Sequence, residues 1–158
     1  EHYDVRPDVV IVSKGLGGGL PLGAILIEDY LGDIWSKAQH GTTFGGNPIS
    51  CAAGLVSLNE IENELMDNAN SVGDYFLSKL NSIKESYPNK ILEIRGKGLM
   101  LGIVLAFEAK ILLDKLLKQN IITNATSVNV LRLVPPLILT KQDVDIFIEA
   151  LNNSLREL

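Results

Sequence analysis

Two short, continuous apolar runs near the start of the chain predict β-strands. Residues 9–12 read VVIV and residues 24–27 read AILI. Both runs are apolar at every position, which is typical of strands of a parallel sheet whose two faces are covered. We therefore expect two buried parallel strands separated by a glycine-rich segment. A short helix and loop are expected over residues 29–39, interrupted at Gly32.

Helical periodicity follows a stretch rich in turn residues. Residues 40–48 read HGTTFGGNP, and their glycines and Asn-Pro pair disfavour regular structure. Asn47 is the expected N-cap of a helix that begins at or just after Pro48. A second helical stretch should stop before Pro88. The apolar positions at helical spacing are Cys51, Leu55, Leu58, Ile61 and Leu65 in the first stretch, and Val72, Phe76, Leu80 and Ile83 in the second.

The remaining pattern predicts a smaller α+β unit. From Ile91 the sequence ILEIRGKGLMLGIVLAF alternates and is broken by glycines, which indicates two strands joined by a turn. A helix is expected over residues 109–119, and short strands over residues 121–123 and 130–134. The second of these strands should end at the Pro135-Pro136 pair.

The last helix is expected from Thr140 to Leu158. Thr140 and Asp143 fit a capping box, and Val144, Phe147, Ile148, Leu151 and Leu155 form its apolar stripe. With a boundary in the long helical region, this order of elements predicts an α/β chain that divides into residues 1–75 and 76–158.

Composition narrows the class of protein. The chain has 158 residues, is 46% hydrophobic and carries a formal charge of −5, so a packed core is expected and nucleic acid is a poor candidate partner. A single cysteine, Cys51, excludes an internal disulfide and fits the reducing cytoplasm. No apolar run approaches the length of a membrane span, and no cluster of Cys, His and acidic residues has metal-ligand spacing.

Lys14 is the first candidate for chemistry. It follows the first predicted strand and precedes the glycine-rich GLGGG, whereas a P-loop places its lysine after the glycines, and the G-x-G-x-x-G spacing also fails. Ligand sites of open α/β sheets lie beyond such strand ends. A partly desolvated lysine there can act as a nucleophile and form a Schiff base with an aldehyde. The alternative is a surface lysine that ends the strand before a flexible loop.

Thr43, within HGTTFGGNP, is the second candidate. The segment offers hydroxyl groups and backbone N–H groups at a helix start, which suit an anion such as phosphate. The alternative is an ordinary turn in which Thr and Asn bond to the local backbone.

Four segments together resemble a known family. SKGLGGGLPLGA, HGTTFGGNPISCAAG, RGKGLMLGI and VLRLVPPL, in this order, are similar to the class III (ornithine-type) pyridoxal-phosphate-dependent aminotransferases, and most similar to their acetylornithine branch. The resemblance implies the C-terminal part of a fold-type I transferase. That part comprises the end of the large mixed-sheet domain with its connecting helix (residues 1–75) and the small C-terminal α+β domain (residues 76–158).

The resemblance also implies roles for three residues. Lys14 matches the catalytic lysine that forms a Schiff base with pyridoxal 5′-phosphate and carries the proton during transamination. Thr43 matches a threonine that binds the cofactor phosphate in the neighbouring subunit, which implies a homodimer. Arg132 matches the arginine that binds the substrate α-carboxylate, and a guanidinium suits that role. The alternative for Arg132 is a strand-end arginine paired to a nearby acid.

Other polar residues are interpreted as structural. Arg95 and Lys97 could touch substrate, but solvated surface charges are the simpler interpretation. His40 is expected to be structural, and Cys51 to behave as a small apolar residue on a helix.

The implied activity moves an amino group between N-acetylornithine, or a related ω-amine, and 2-oxoglutarate in arginine biosynthesis. Ornithine, 4-aminobutyrate and succinyl-diaminopimelate aminotransferases of the same family remain alternatives. In the family, the aspartate at the pyridine nitrogen, the ring-stacking aromatic residue and most of the phosphate site precede the lysine. We therefore expect this segment alone to bind the cofactor weakly or not at all, and not to turn over. A non-catalytic dimerisation module and a phosphate-binding protein without covalent chemistry are the other readings.

Overall fold

The fold is known from a computed structural model, which describes residues 2–158. The chain divides into two compact units, residues 1–63 and 64–158, each of which is described by itself below. Among the described residues, no helix combines the length and apolar character that a bilayer crossing requires.

The first unit contains a two-stranded ribbon. β1 (Val9–Val12) and β2 (Ala24–Ile27) form as expected, but they pair antiparallel to each other, with Val9 opposite Ile27 and Val12 opposite Ala24. The prediction of parallel strands is therefore wrong for this pair. A parallel connection needs a crossover of a dozen or more residues, and the segment between these strands contains only a single 3₁₀ turn.

The strands are also exposed, contrary to the expectation of burial. Ile11 is 75% exposed. The other side chains of both strands are also exposed, except that of Val12, which is half-buried. A continuous apolar run indicates strands that need cover on both faces. No described residue of the first unit supplies that cover.

The helix of the first unit begins where the sequence predicts. α1 spans Pro48–Glu60, and the Asn47 side chain accepts hydrogen bonds from the backbone N–H groups of Ile49 (2.9 Å) and Ser50 (3.2 Å). This confirms Asn47 as the N-cap. A 3₁₀ helix over Asp29–Ile34 precedes it and runs through Gly32 rather than being interrupted there.

The predicted apolar stripe of α1 is not buried. Leu55 is 69% exposed and Leu58 is also exposed, whereas the buried positions of this helix are Ser50 and Gly54. The helix is apolar around most of its circumference, which is typical of a helix that is covered on all sides. A π-helical turn over Ile61–Leu65 follows it.

The second unit is a four-stranded antiparallel sheet packed against helices. Its strand order is β3-β4-β6-β5. The strands are β3 (Ile91–Lys97), β4 (Met100–Leu105), β5 (Asn124–Thr126) and β6 (Val130–Leu133), and the helices are α2 (Met66–Ser86), α3 (Ala109–Lys118) and α4 (Lys141–Arg156).

The core of the second unit lies between the sheet and these helices. Phe76 of α2 and Phe147 of α4 meet edge to face, with ring centroids 5.3 Å apart. The predicted apolar stripes of α2 and α4 both face this core, Ile83 and Ile148 less completely than the rest. Fully buried leucine and isoleucine side chains fill it: Leu80, Ile91, Ile103, Leu105, Leu112, Leu116, Leu131, Leu151 and Leu155.

Strand β5 lies later than predicted. The sequence predicts a strand over residues 121–123, but pairing with β6 begins only at Asn124. Asn120 adopts a left-handed conformation (φ 62°), and the Ile121 N–H bonds to the Leu116 carbonyl at 3.0 Å. These residues are therefore used to end α3 before the chain can enter the sheet.

The division between the compact units also falls earlier than the predicted domain boundary. The units divide after Asn63, whereas the sequence analysis places the boundary after residue 75. The reason is that Val72 and Phe76 of α2 are buried in the core of the second unit. The connecting helix therefore groups with the following residues rather than with the preceding ones.

Candidate active site

Lys14 lies directly beyond the carboxyl end of β1, as the sequence predicts. It opens a 3₁₀ turn over Lys14–Gly17, which the Leu16 N–H closes by bonding to the Ser13 carbonyl at 3.3 Å. Its φ of 56° lies in the left-handed region, which is uncommon for a residue other than glycine. Its side chain is exposed, and no described residue pairs with its ammonium group. Among residues 2–158, nothing buries the Lys14 side chain, so the expected partial desolvation is not supplied by this part of the chain.

Helix α1 supports the turn that carries Lys14. A methyl group on Gly18 would lie 2.6 Å from Ser57 Oγ, and one on Gly54 would lie 2.6 Å from a Leu22 methyl carbon. Gly17 is buried beside Leu22 as well. Gly54 and Ser57 belong to a helix that the sequence analysis treated as a separate element. A glycine inside an otherwise apolar helix is the sequence feature that could have indicated this close packing.

Thr43 lies in the exposed loop before α1. The prediction that free N–H groups at the helix start could bind an anion is not supported, because Asn47 accepts bonds from Ile49 and Ser50. The Cys51 N–H bonds to the Asn47 carbonyl at 2.9 Å. What remains for an anion is therefore the Thr43 hydroxyl and the backbone of its own loop.

Arg132 lies on β6 in the second unit, where it is opposite Gly102 of β4 and Asn124 of β5. It is exposed while its neighbours Leu131 and Leu133 are buried. Within residues 2–158 no carboxylate forms an ion pair with it. The alternative of a strand-end arginine paired to a nearby acid thus finds no acid here, and the guanidinium is available to an anionic ligand.

Residues 1–155 match the family described as Aminotransferase class-III. The chain belongs to this family. Such a match over nearly the whole chain agrees with the four segments that carry the resemblance.

Individual relatives of this class-III aminotransferase chain are similarly named. It is 42% identical to an acetylornithine aminotransferase of Methanocaldococcus jannaschii, over 100% of this chain and 40% of that protein. It is 39% identical to an acetylornithine aminotransferase of Aquifex aeolicus, over 98% of this chain and 39% of that protein.

Solved structures of the family share the fold. The acetylornithine aminotransferase of Elizabethkingia anophelis superposes with a TM-score of 0.90 at 31% identity, over 99% of this chain and 41% of that chain. The ornithine aminotransferase of Plasmodium yoelii gives a TM-score of 0.90 at 32% identity, over 99% and 42%. The chain therefore spans about two fifths of the length of the relatives it matches, and its α/β architecture is that of part of a pyridoxal-phosphate-dependent aminotransferase.

The residues of this class-III chain fit part of a pyridoxal phosphate site. Gly15 and Gly19, beside Lys14, have no atom within 4 Å of where a side chain would begin, so a flat ring could approach the backbone there. Lys14 could supply an amine to condense with the cofactor aldehyde, and Thr43 could supply a hydroxyl for a phosphate oxygen. Lys14 and Thr43 belong to the first unit and Arg132 to the second.

A cavity of about 750 Å³ lies in the second unit near Arg132. Asp143 contributes a carboxylate to the cavity wall. The Thr140 hydroxyl and backbone N–H donate hydrogen bonds to this carboxylate at 2.6 and 2.9 Å. The hydrogen bond from the Thr140 side chain, and then that from its backbone, lowers the pKa of Asp143. The remaining walls are mainly apolar and include Ile121, Ile122, Val134, Pro135, Pro136, Ile138 and Phe147.

The residues interpreted as structural have structural contacts. The His40 ring lies against Trp35, with centroids 5.0 Å apart. Cys51 is half-buried on α1. Arg95 is 4.0 Å from Glu93, and both side chains are more than half exposed. Such an exposed pair contributes little to stability, so the ion pair between Arg95 and Glu93 is weak.

Proposed function

We propose that this chain is part of a pyridoxal-phosphate-dependent aminotransferase acting on N-acetylornithine, with 2-oxoglutarate as amino acceptor, in arginine biosynthesis. The activity is proposed for the protein at the length of its relatives, since this chain spans 40% of the M. jannaschii relative. The observation that carries the proposal is Lys14, a lysine at a strand end beside open glycines in a class-III chain, without an ion-pair partner among residues 2–158.

Lys14 performs the covalent and proton-transfer work in this proposal. Its amine would be the nucleophile that holds the cofactor through its aldehyde. Once the substrate amine has displaced it, Nζ would take the proton from the substrate carbon that bears the amino group and deliver it to the cofactor rather than back to that carbon. Bound pyridoxal phosphate supplies an electron sink for the charge that develops on that carbon. The left-handed backbone at Lys14 fixes where the side chain leaves the strand end.

Thr43 and Arg132 bind rather than react. Thr43 donates its hydroxyl hydrogen to a phosphate oxygen, and its position on an exposed loop allows it to serve a neighbouring subunit of a homodimer. Arg132 holds the substrate α-carboxylate through two parallel N–H···O bonds. The lack of an ion pair to Arg132 among residues 2–158 supports this role, because no internal carboxylate has to be displaced.

Ornithine is the alternative donor. The likeness to the ornithine aminotransferase of P. yoelii, with a TM-score of 0.90, favours it as strongly as the acetylornithine relative of E. anophelis does. Sequence identity favours the acetylated substrate, since the M. jannaschii and A. aeolicus acetylornithine aminotransferases are 42% and 39% identical to this chain. A cytoplasmic location is proposed with either donor.

The test is an assay of the protein at the relatives' length. It should form glutamate from 2-oxoglutarate with N-acetylornithine and more slowly with ornithine. Lys14→Ala should abolish turnover, while Lys37→Ala, an exposed lysine of the same unit, should leave it unchanged. Borohydride reduction followed by peptide mass spectrometry should place the cofactor mass on Lys14. Turnover that survives Lys14→Ala refutes the proposal, and preference for ornithine refutes the named donor.

A further inference from the structure

Helix α1 presents a glycine, rather than one of its large side chains, to the turn that carries Lys14. Gly54 is buried, whereas the adjacent Leu55 is 69% exposed. A methyl group on Gly54 would lie 3.3 Å from the Leu16 carbonyl oxygen, which belongs to the backbone of the turn. Because glycine has no side chain, the helix and the turn approach each other more closely than another residue at this position allows.

Gly18 makes a second close contact, from the side of the turn. It ends the turn with a φ of 58°, and its N–H bonds to the Gly15 carbonyl at 3.1 Å. A methyl group on Gly18 would lie 2.6 Å from Ser57 Oγ, so one of the two groups would have to move. Ser57 Oγ is itself held on α1, because it donates a hydrogen bond to the Ala53 carbonyl at 3.0 Å. Positions 54 and 57 are three apart and share one face of the helix.

The opposite face of the turn is open. Among residues 2–158, apart from the adjacent ones, no atom lies within 4 Å of where a side chain on Gly15 or Gly19 would begin. Lys14 opens this turn with a φ of 56°. A residue other than glycine keeps a left-handed backbone where the surrounding structure holds it there. The contacts with α1 supply that support, on the face away from the open glycines.

We propose that Gly18 and Gly54 are positioning residues for Lys14. They let the turn pack directly against α1, so that this helix sets where the Lys14 Nζ lies relative to the open face. An amine that holds a cofactor and carries a proton works only within hydrogen-bonding reach of the reacting atoms. This inference rests on the proposed function, since it takes Lys14 as the reacting amine, and it assigns the placement of that amine to a separate helix.

The first test is Gly54→Ala in the protein at the relatives' length. Alanine is the better helix former, so a glycine without a positioning role could be replaced with no loss. We expect kcat to fall about tenfold, because the added methyl group displaces the turn, while KM for the amino donor changes by less than about twofold. Asn59→Ala is the matched control. It lies at an exposed position of α1, also raises helix propensity, and should leave kcat unchanged.

The second test is a double-mutant cycle between Gly18 and Ser57. Gly18→Ala should lower kcat about 100-fold. Adding Ser57→Ala removes Oγ, after which the neighbour within 4 Å among residues 2–158 is the Ala53 carbonyl oxygen at 3.8 Å. The double variant should therefore recover about tenfold in kcat, since the backbone strain at position 18 is the same in both variants. Ser57→Ala alone should change kcat by less than about twofold.

Hydrogen exchange of the apoprotein provides a readout that needs neither cofactor nor turnover. The N–H groups of Leu16 and Gly18 close the turn. The peptide that spans the turn should exchange about tenfold faster in Gly18→Ala than in wild type, and Ser57→Ala should reverse the change. Peptides from α4 should exchange as in wild type, which shows that the variant is folded. Should Gly18→Ala not fold, the kcat of Gly54→Ala decides the inference.

The outcomes distinguish this inference from the proposed function. A wild-type kcat in Gly54→Ala overturns the inference, and so does a double variant no more active than Gly18→Ala. The proposed function stands in both cases, because it requires only that Lys14→Ala abolish turnover. Turnover that survives Lys14→Ala refutes the proposed function and this inference with it.

Discussion

The two units differ in how much of their apolar surface is buried, although both are rich in apolar residues. In the second unit Leu80, Leu131 and Leu151 are fully buried between sheet and helices. In the first unit Ile11 and Leu55 are 75% and 69% exposed, on a strand and a helix whose positions in the chain the sequence predicted but whose burial it did not. An amphipathic pattern indicates which face packs, whereas an apolar run without periodicity says only that cover is needed. The comparison predicts that the second unit supplies most of the stability of this chain.

The largest effect should come from leucines matched between the units. Leu151→Ala in the second unit leaves a cavity in a packed core and should lower the free energy of unfolding by about 3 kcal/mol. Leu55→Ala in α1 removes an exposed side chain and should change it by less than about 0.5 kcal/mol. Urea denaturation followed by circular dichroism measures both. Equal losses would show that the first unit buries Leu55.

Glycines give a smaller contrast. A methyl group on Gly73 of α2 would lie 2.5 Å from the Gly98 carbonyl oxygen, which is backbone and cannot move aside cheaply. Gly73→Ala should therefore cost about 2 kcal/mol through overpacking. Gly15→Ala, where nothing lies within 4 Å, is the control from the first unit and should cost much less. Tolerance of Gly73→Ala would mean that α2 and the β3–β4 turn can separate.

Helix caps should differ by about 1 kcal/mol. Thr140 and Asp143 form the predicted capping box of α4, with the Asp143 N–H bonded to Thr140 Oγ1 at 3.2 Å. Thr140→Ala should lower the unfolding free energy by about 1 kcal/mol, because α4 is part of the core. Asn47→Ala removes the cap of α1. It should reduce the helical signal of the folded protein while changing the free energy of unfolding less than Thr140→Ala does. Thermal melts monitored at 222 nm distinguish these outcomes.

The smallest effect should depend on pH. Tyr75 donates a hydrogen bond to Asp145 Oδ1 at 2.7 Å, and this bond, with a contribution from Lys79, lowers the pKa of Asp145. A lowered folded-state pKa stabilises the protein above the ordinary Asp value, and the contribution is lost as pH falls through the lowered one. The stability difference between wild type and Tyr75→Phe should therefore shrink as the pH drops below about 4.

The matched variant for this pair lies in the first unit. Tyr30 also donates to a carboxylate, that of Asp8, and this hydrogen bond raises the pKa of Tyr30. Tyr30→Phe should have little effect on global unfolding at either pH, because its surroundings are exposed. Denaturant titrations at pH 7 and pH 3 test both variants. A Tyr75→Phe effect that is independent of pH would contradict the role given to Asp145.

Local signals predicted much of the structure. The N-cap at Asn47 and the capping box at Thr140 are confirmed, because a cap is decided by a few residues in sequence. The strand expected over residues 121–123 fails for a related reason. The chain ends α3 at these residues, where the Ile121 N–H bonds to the Leu116 carbonyl, and it enters the sheet only at Asn124. Hydrophobic periodicity does not show where a helix end takes residues from the following strand.

The candidate site was predictable only residue by residue. The strand-end position of Lys14 follows from the order of an apolar run, a lysine and glycines. The contacts of Gly18 and Gly54 do not, since they join segments more than thirty positions apart in sequence. Nor does the position of Arg132 opposite Gly102 and Asn124, because strand order and register decide it.

The sequence by itself determined where most helices and strands form, which caps hold α1 and α4, and which family the motifs resemble, since these depend on neighbouring residues and on spacing. Only the tertiary structure decided the antiparallel direction of β1 and β2, the assignment of α2 to the second unit, and the placement of Arg132 opposite Gly102 and Asn124. The physical reason is that strand pairing and burial join residues distant in sequence, and a linear pattern specifies the need for a partner without naming it.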